Sequence, residues 1–145
     1  MIQRIQSIYL LLAAVANFIL FKLPFAEATV PVIESPLFKD GAYTIQDNMM
    51  LVAAYVLAGT LALGAIFLFK NRTLQTKVVL GAIVTTAIAT ILTILNYVQD
   101  TSLVGANIKD GYGLGMPIFA IIFALVAIRF IRKDNELVRS MDRLR

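Results

Sequence analysis

The 145-residue chain contains no cysteine and no histidine. Without thiols it has no disulfide, no thiolate nucleophile and no side chain for prenylation or palmitoylation. The same two absences remove the commonest transition-metal ligands. Charge is scarce as well. Only 15% of the residues are Asp, Glu, Lys or Arg, against about 25% in an ordinary soluble domain. Apolar residues take the space instead, at 59% of the chain. That content excludes disorder. A soluble core of this size has no need of several uncharged runs of about 20 residues. The composition therefore predicts an integral membrane protein.

The runs themselves set the organisation. Val78 to Val98 is 21 residues without a charge, and as a helix it spans roughly 30 Å, one hydrocarbon core. Gly81, Thr85, Ala89 and Thr93 recur four apart within it, followed by Asn96, so they lie near one helix face. Small residues let helices approach in lipid, and Thr or Asn hydrogen-bonds across the contact. This span is expected to be the packing centre. Met49 to Phe69 is a second uncharged run, with Ala54, Ala58 and Ala62 four apart. The short basic stretch Lys70 to Lys77 joins the two, which makes them antiparallel neighbours. They are expected to pack most closely, through Ala58 or Ala62 against the Gly81, Thr85, Ala89 face.

Ile5 to Phe21 is a third run, of 17 residues, preceded by Arg4. Ala26-Glu27-Ala28 beyond it fits a signal-peptidase site, but a signal-peptide core is usually 7–15 residues. A retained first span over about 5–25 is expected. Met116 to Ile128 is the body of a fourth span, with Pro117 in the first turn, where a missing N–H costs nothing. Only 13 residues long, it must extend to about 112–131.

Between the first two spans lies a 22-residue polar segment, Ala26 to Asp47, with Pro31 and Pro36, which exclude a long helix. Thr29 to Ile33 and Ala42 to Ile45 have strand composition, with Lys39-Asp40-Gly41 as a turn between them. The triplet returns as Lys109-Asp110-Gly111 in the loop before the fourth span. Either the chain is two related helical hairpins or a common turn dipeptide recurs by chance. If both turns cap hairpins, a small outer sheet joins the two loops.

Basic residues give the orientation. With four spans, Arg4, Lys70, Arg72, Lys77 and the six cations from Arg129 to Arg145 fall on one side, ten of the 13. Lys22, Lys39 and Lys109 fall on the other, with six of the nine acids, Glu34 among them. The positive-inside rule makes the ten cytoplasmic, and both termini with them.

Residues that carry chemistry are few. The first three spans hold no ionisable residue in their interiors, which argues against a proton-coupled transporter. Asn17 and Asn96 are the buried polar candidates, as interhelical hydrogen bonders or as the lining of a polar cavity. Thr85, Thr86, Thr90 and Thr93 suit packing, since Thr hydroxyls satisfy themselves on i−4 carbonyls. Gly111, Gly113 and Gly115 follow no strand-to-helix fingerprint for phosphate. Asp40 and Asp110, if the two loops meet, form a carboxylate pair or a weak divalent-cation site; otherwise they are turn residues. In the tail over about 132–145, Leu137, Met141 and Leu144 form one apolar stripe. Arg132, Arg139, Arg143 and Arg145 lie along the same segment. It reads as an amphipathic helix on the membrane or continuing the fourth span, in contact with anionic lipid or a protein partner. Asp134, Glu136 and Asp142 interrupt the charge, so nucleic acid is not expected. No cofactor or metal is expected, and nothing indicates a homo-oligomer.

Three stretches resemble the Bacteroidota family catalogued as domain of unknown function 4293. They are Met1-Ile-Gln-Arg-Ile-Gln-Ser-Ile-Tyr9 with the four residues that follow, Phe69-Lys-Asn-Arg-Thr-Leu-Gln-Thr-Lys77, and Leu137-Val-Arg-Ser-Met-Asp-Arg-Leu-Arg145. The resemblance implies a small four-span inner-membrane protein and brings no activity with it. It draws attention to Gln3, Arg4, Gln6, Arg139, Asp142, Arg143 and Arg145. The expected fold is all-α, an antiparallel four-helix transmembrane bundle with short extracytoplasmic strands. The leading expectation for function is a non-enzymatic structural or accessory subunit of an inner-membrane assembly. The alternative is a carrier or binder of a lipid or apolar small molecule, which a cavity between the spans would favour.

Overall fold

The structure, a computed structural model, describes residues 2–33, 35–100, 103 and 107–142, with side chains except at 2–4, 139, 141 and 142. Glu34, Arg143, Leu144 and Arg145 lie outside the described residues, as do the side chains of Gln3, Arg4, Arg139, Met141 and Asp142. Helix α1 (Ile2–Phe18) runs into a 3-10 turn at Ile19–Phe21. Strands β1 (Ala26–Ala28) and β2 (Ala42–Tyr43) precede a second 3-10 turn at Ile45–Asp47. Helices α2 (Met49–Phe67) and α3 (Arg72–Gln99) follow. Strand β3 (Ile108–Asp110) and a 3-10 turn at Tyr112–Gly115 lead into α4 (Met116–Asp142).

Local chemistry fixes the helix ends. Asn48 caps α2 by accepting from Met50 N at 2.9 Å, and Asn71 caps α3 by accepting from Leu74 N at 3.0 Å. Each side-chain oxygen satisfies one of the orphan N–H groups of a first turn. The Asn71 cap corrects the expected connection. Lys70 to Lys77 is mostly helix, and hydropathy marked the apolar part of α3 rather than its start. Helix α4 likewise runs unbroken through Asp142, so the described part of the tail continues the fourth helix. Three helical segments are long and apolar enough to cross a membrane: α2, α3 and Tyr112–Val138. Ile5–Phe21 forms a shorter apolar helix.

The helices pack in a ring, α1 on α4 and α2, α3 on α2 and α4. Cross-contacts make neighbours antiparallel. Tyr55 near the start of α2 meets Thr90 and Thr93 late in α3, and Arg72 at the start of α3 pairs with Asp134 late in α4. The most extensive contact is α1 on α4, ahead of α2 on α3. This differs from the expectation for spans two and three. A short connection forces adjacency, but contact area follows side chains. Ala13 and Ala14 share a buried cluster with Ala124 and Ala127 of α4, and Tyr9 stacks on Phe130 at 5.6 Å.

The size distribution is inverted relative to a soluble protein. Along the helices the interior is rich in Ala and Thr, with Asn17, Gln6 and Gln75 and a few larger side chains such as Leu10, Tyr55 and Ile131, while large aliphatics such as Ile8, Leu57, Ile88, Ile91 and Ile122 face outward, each about half exposed. A three-stranded antiparallel sheet, order β2-β1-β3, covers one end of the ring. It joins the two polar loops. The first strand is Ala26–Ala28 rather than Thr29 to Ile33. Pro31 lies in that second stretch, and Val32 N donates instead to Phe38 O at 3.1 Å, closing a loop.

Candidate functional site

A cavity of about 180 Å³ lies where the sheet meets the ends of α3 and α4. Phe25, Ala26 and Tyr43 line it from the sheet, Thr93, Ile94 and Tyr97 from α3, and Asp110 and Leu114 from the second loop. Strand register explains the selection. Ala26 pairs with both Tyr43 and Asp110, while Glu27 pairs with Ala42 and Lys109. Alternation along each strand puts the first set on one face and the second on the other. Glu27 and Lys109, both exposed, form an opposite-charge cross-strand pair on the outer face. Asp110 shares the face of buried Ala26 and Tyr43, which is turned toward the helices.

Backbone contacts hold this junction. Phe25 N donates to Tyr43 O at 2.8 Å, Gly111 N to Phe25 O at 2.9 Å, and Gly113 N to Pro24 O at 2.9 Å. The two glycines are needed for that approach, because a Cβ on either would run into the Pro24 carbonyl. The two Lys-Asp-Gly triplets consequently differ. Gly41 turns with φ of 83°, whereas Gly111 is extended beside β1. The first loop is pinned to the end of α3 by Ser35, whose hydroxyl donates to Asp100 at 2.5 Å and accepts from Leu37 N and Phe38 N, both at 3.1 Å. Tyr43 completes the seam by donating its hydroxyl to Thr93 O at 3.2 Å. Burial pushes the Tyr43 phenol up to about 12, partly opposed by a hydrogen bond from the Asn96 side chain. The half-buried Asn96 is thereby tied to the sheet.

Deeper in the ring, Asn17 is buried and joins diagonal helices. Its Nδ2 donates to Ala13 O at 2.9 Å and its Oδ1 accepts from Thr86 at 3.2 Å. Thr85, Thr86, Thr90 and Thr93 each donate to an i−4 carbonyl at 2.8–2.9 Å. The buried stripe of α3 is Gln75, Val79, Ala82, Thr86, Ala89 and Thr93. Gly81 and Thr85 lie half-buried beside it. Ala58 and Ala62 are buried on α2.

The end away from the sheet carries a second polar group. Arg72 Nε lies 2.7 Å from Asp134 Oδ2. Gln75 donates to Ala65 O at 2.9 Å, and among the described residues its Oε1 and both amide atoms of the fully buried Gln6 have no hydrogen-bond partner. Gln6 stood in the sequence only as part of the family resemblance. Arg132 is exposed on α4. The structure does not bring Asp40 and Asp110 together, since β1 lies between their strands. Among the described residues no group of three or more Asp or Glu side chains is placed to hold a metal.

The fold and its seams define a mostly helical protein with three membrane-length helices under a small sheet. The chain belongs to the family described as Domain of unknown function (DUF4293), which it matches over residues 2–144. No curated protein and no solved structure matches it.

Proposed function

We propose that this protein spans the bacterial inner membrane four times, with both termini cytoplasmic, and binds the apolar part of a lipid or similar small molecule beneath its sheet. The cavity is the observation that carries the binding role. Its lining is mostly aromatic and aliphatic, the apolar character that ligand sites share. At about 180 Å³ it is smaller than typical pockets of about 300–1,000 Å³. It therefore suits one end of a molecule whose remainder lies outside, along exposed Ile94 and Leu114. The inverted packing supports membrane insertion, because lipid solvates large aliphatics while helices associate through small and hydroxyl residues. Ile5–Phe21, shorter than the other three even with its 3-10 turn, is taken as the remaining crossing.

Native mass spectrometry of the protein released from a neutral detergent tests the binding role. One retained lipid per chain is expected, and Ile94→Trp should lose it by filling the cavity. A wild-type protein that retains none would leave the second reading, an accessory subunit of a membrane assembly. That reading is favoured by α4, which continues eight residues past Asp134, about 12 Å of helix. Stoichiometric co-purification of another membrane protein from gently solubilised membranes would support it. Neither reading involves catalysis by this chain.

A further inference from the structure

The buried polar side chains of the cavity lining, Tyr43 and Thr93, already have partners. Tyr43 donates its hydroxyl to Thr93 O at 3.2 Å, and the Thr93 hydroxyl donates to Ala89 O at 2.9 Å. Asp110 is the one charged lining residue and is exposed, which leaves its carboxylate in solvent. A polar group pushed in among them would give up water for no free partner. Three of the walls are aromatic: Phe25, Tyr43 and Tyr97. Other rings brace them. Fully buried Phe38 lies 6.1 Å from Tyr43 and 6.2 Å from Tyr97 between centroids, and Phe25 lies 5.4 Å from Tyr43 and 6.1 Å from Tyr55. The walls are thus held before any ligand arrives, which lowers the cost of binding. Neighbouring rings are tilted by 36–64°, so a flat guest meets both faces and edges.

We propose that the cavity is an aryl site, which takes one six-membered aromatic ring at the apolar end of a small amphiphile in preference to an alkyl chain. The assignment rests on the binding role above and names the occupant. Size supports it. An apolar cavity of about 150 Å³ holds one benzene ring, and this one measures about 180 Å³. The chemistry of the walls supports it as well. An alkyl chain gains only burial from them, whereas a guest ring adds offset and edge-to-face contacts between quadrupoles. The exposed apolar residues Ile94 and Leu114 at the cavity take the linker that joins the ring to its polar end. Without an aryl ligand, the end of a lipid chain fills the same space through its abundance in the membrane.

The test uses the full chain in neutral detergent and three ten-carbon alcohols, 4-phenylbutanol, 4-cyclohexylbutanol and decan-1-ol, which share a hydroxyl and differ in the apolar end. Native mass spectrometry follows displacement of the retained lipid at matched mole fractions of alcohol in the micelle. 4-Phenylbutanol is expected to displace it at a mole fraction about threefold to tenfold lower than either of the others, the range that contacts between aromatic rings supply. Melting temperatures in the same mixtures give an independent ranking, with 4-phenylbutanol highest. Tyr97→Leu, which removes a half-buried aromatic wall, should shrink the displacement ratio toward unity while decan-1-ol acts as before. Equal potency of the phenyl and cyclohexyl alcohols on wild type, or a more potent decan-1-ol, would overturn the aryl assignment and leave apolar binding standing. An undiminished phenyl preference in Tyr97→Leu would also overturn it. A wild type that retains no lipid and is stabilised by none of the three alcohols would overturn the binding role itself.

Discussion

At the level of single residues, burial of polar atoms separates groups that hold the sheet from groups that strain the interior. Tyr43 belongs to the first kind. Its ordinary value is about 10, and burial holds the folded phenol near 12. The unfolded chain therefore releases the proton first as pH rises. The stability that neutral Tyr43 provides is complete below pH of about 10 and is lost as pH climbs toward about 12. A phenolate absorbance titration, taken as the difference between wild type and Tyr43→Phe, should be centred near pH 12. A midpoint near 10 would place the hydroxyl in water rather than against Thr93. Gln6 is the opposite case. Both amide atoms are buried without a partner among the described residues, and an unmade hydrogen bond costs about 1–3 kcal/mol. Gln6→Leu should therefore raise the melting temperature in detergent. A lower one would show that the amide is used by something the isolated chain does not contain.

Helices and strands differ in how far the sequence exposes them. Uncharged runs located α2 and α3 because a membrane-length helix needs nothing else to be recognised. Their starts were less visible, since Asn48 and Asn71 cap through a single side-chain oxygen that hydropathy does not register. Strand β1 was hidden in Ala26-Glu27-Ala28, a triplet without strand propensity. It is a strand because Tyr43, Gly41 and Gly111 supply its hydrogen bonds from either side. The cavity was not legible at all, as its lining comes from four segments up to 89 positions apart (Phe25 to Leu114). A signal did exist in Gly111 and Gly113, whose spacing marks a close backbone approach. Glycine also divides the helices. A Cβ on Gly59 would sit 2.7 Å from the Phe18 ring, whereas one on Gly81 would meet only Leu61 at 3.9 Å. Gly59→Ala should destabilise the α1–α2 contact by about 1–3 kcal/mol, and Gly81→Ala should be neutral or better, since alanine favours helix. Thermal unfolding of both variants in one detergent checks the pair. Equal losses would mean that the contact at Phe18 yields freely.

For the whole molecule the open question is which end faces the cytoplasm, and the missing cysteines make it answerable. The sheet end carries Lys22, Lys39 and Lys109, while the opposite end carries Lys70, Arg72, Lys77 and the tail cations. On the proposed topology the short basic loops stay on the cytoplasmic side, and the sheet and the cavity beneath it lie outside. The leaflet that supplies a ligand follows from that assignment. A chain with no thiol of its own reports only the cysteine placed in it. Lys39→Cys, in the exposed turn before β2, and Arg132→Cys, exposed on α4, each change a solvated side chain that no described contact uses. In intact cells a membrane-impermeant maleimide, given access to the periplasm, should label position 39 and spare position 132. Inverted vesicles should reverse the result. Labelling of both positions from the same side would refute an odd number of crossings between them. Labelling of 132 alone in cells would invert the molecule, moving the cavity to the cytoplasmic leaflet while leaving its chemistry intact.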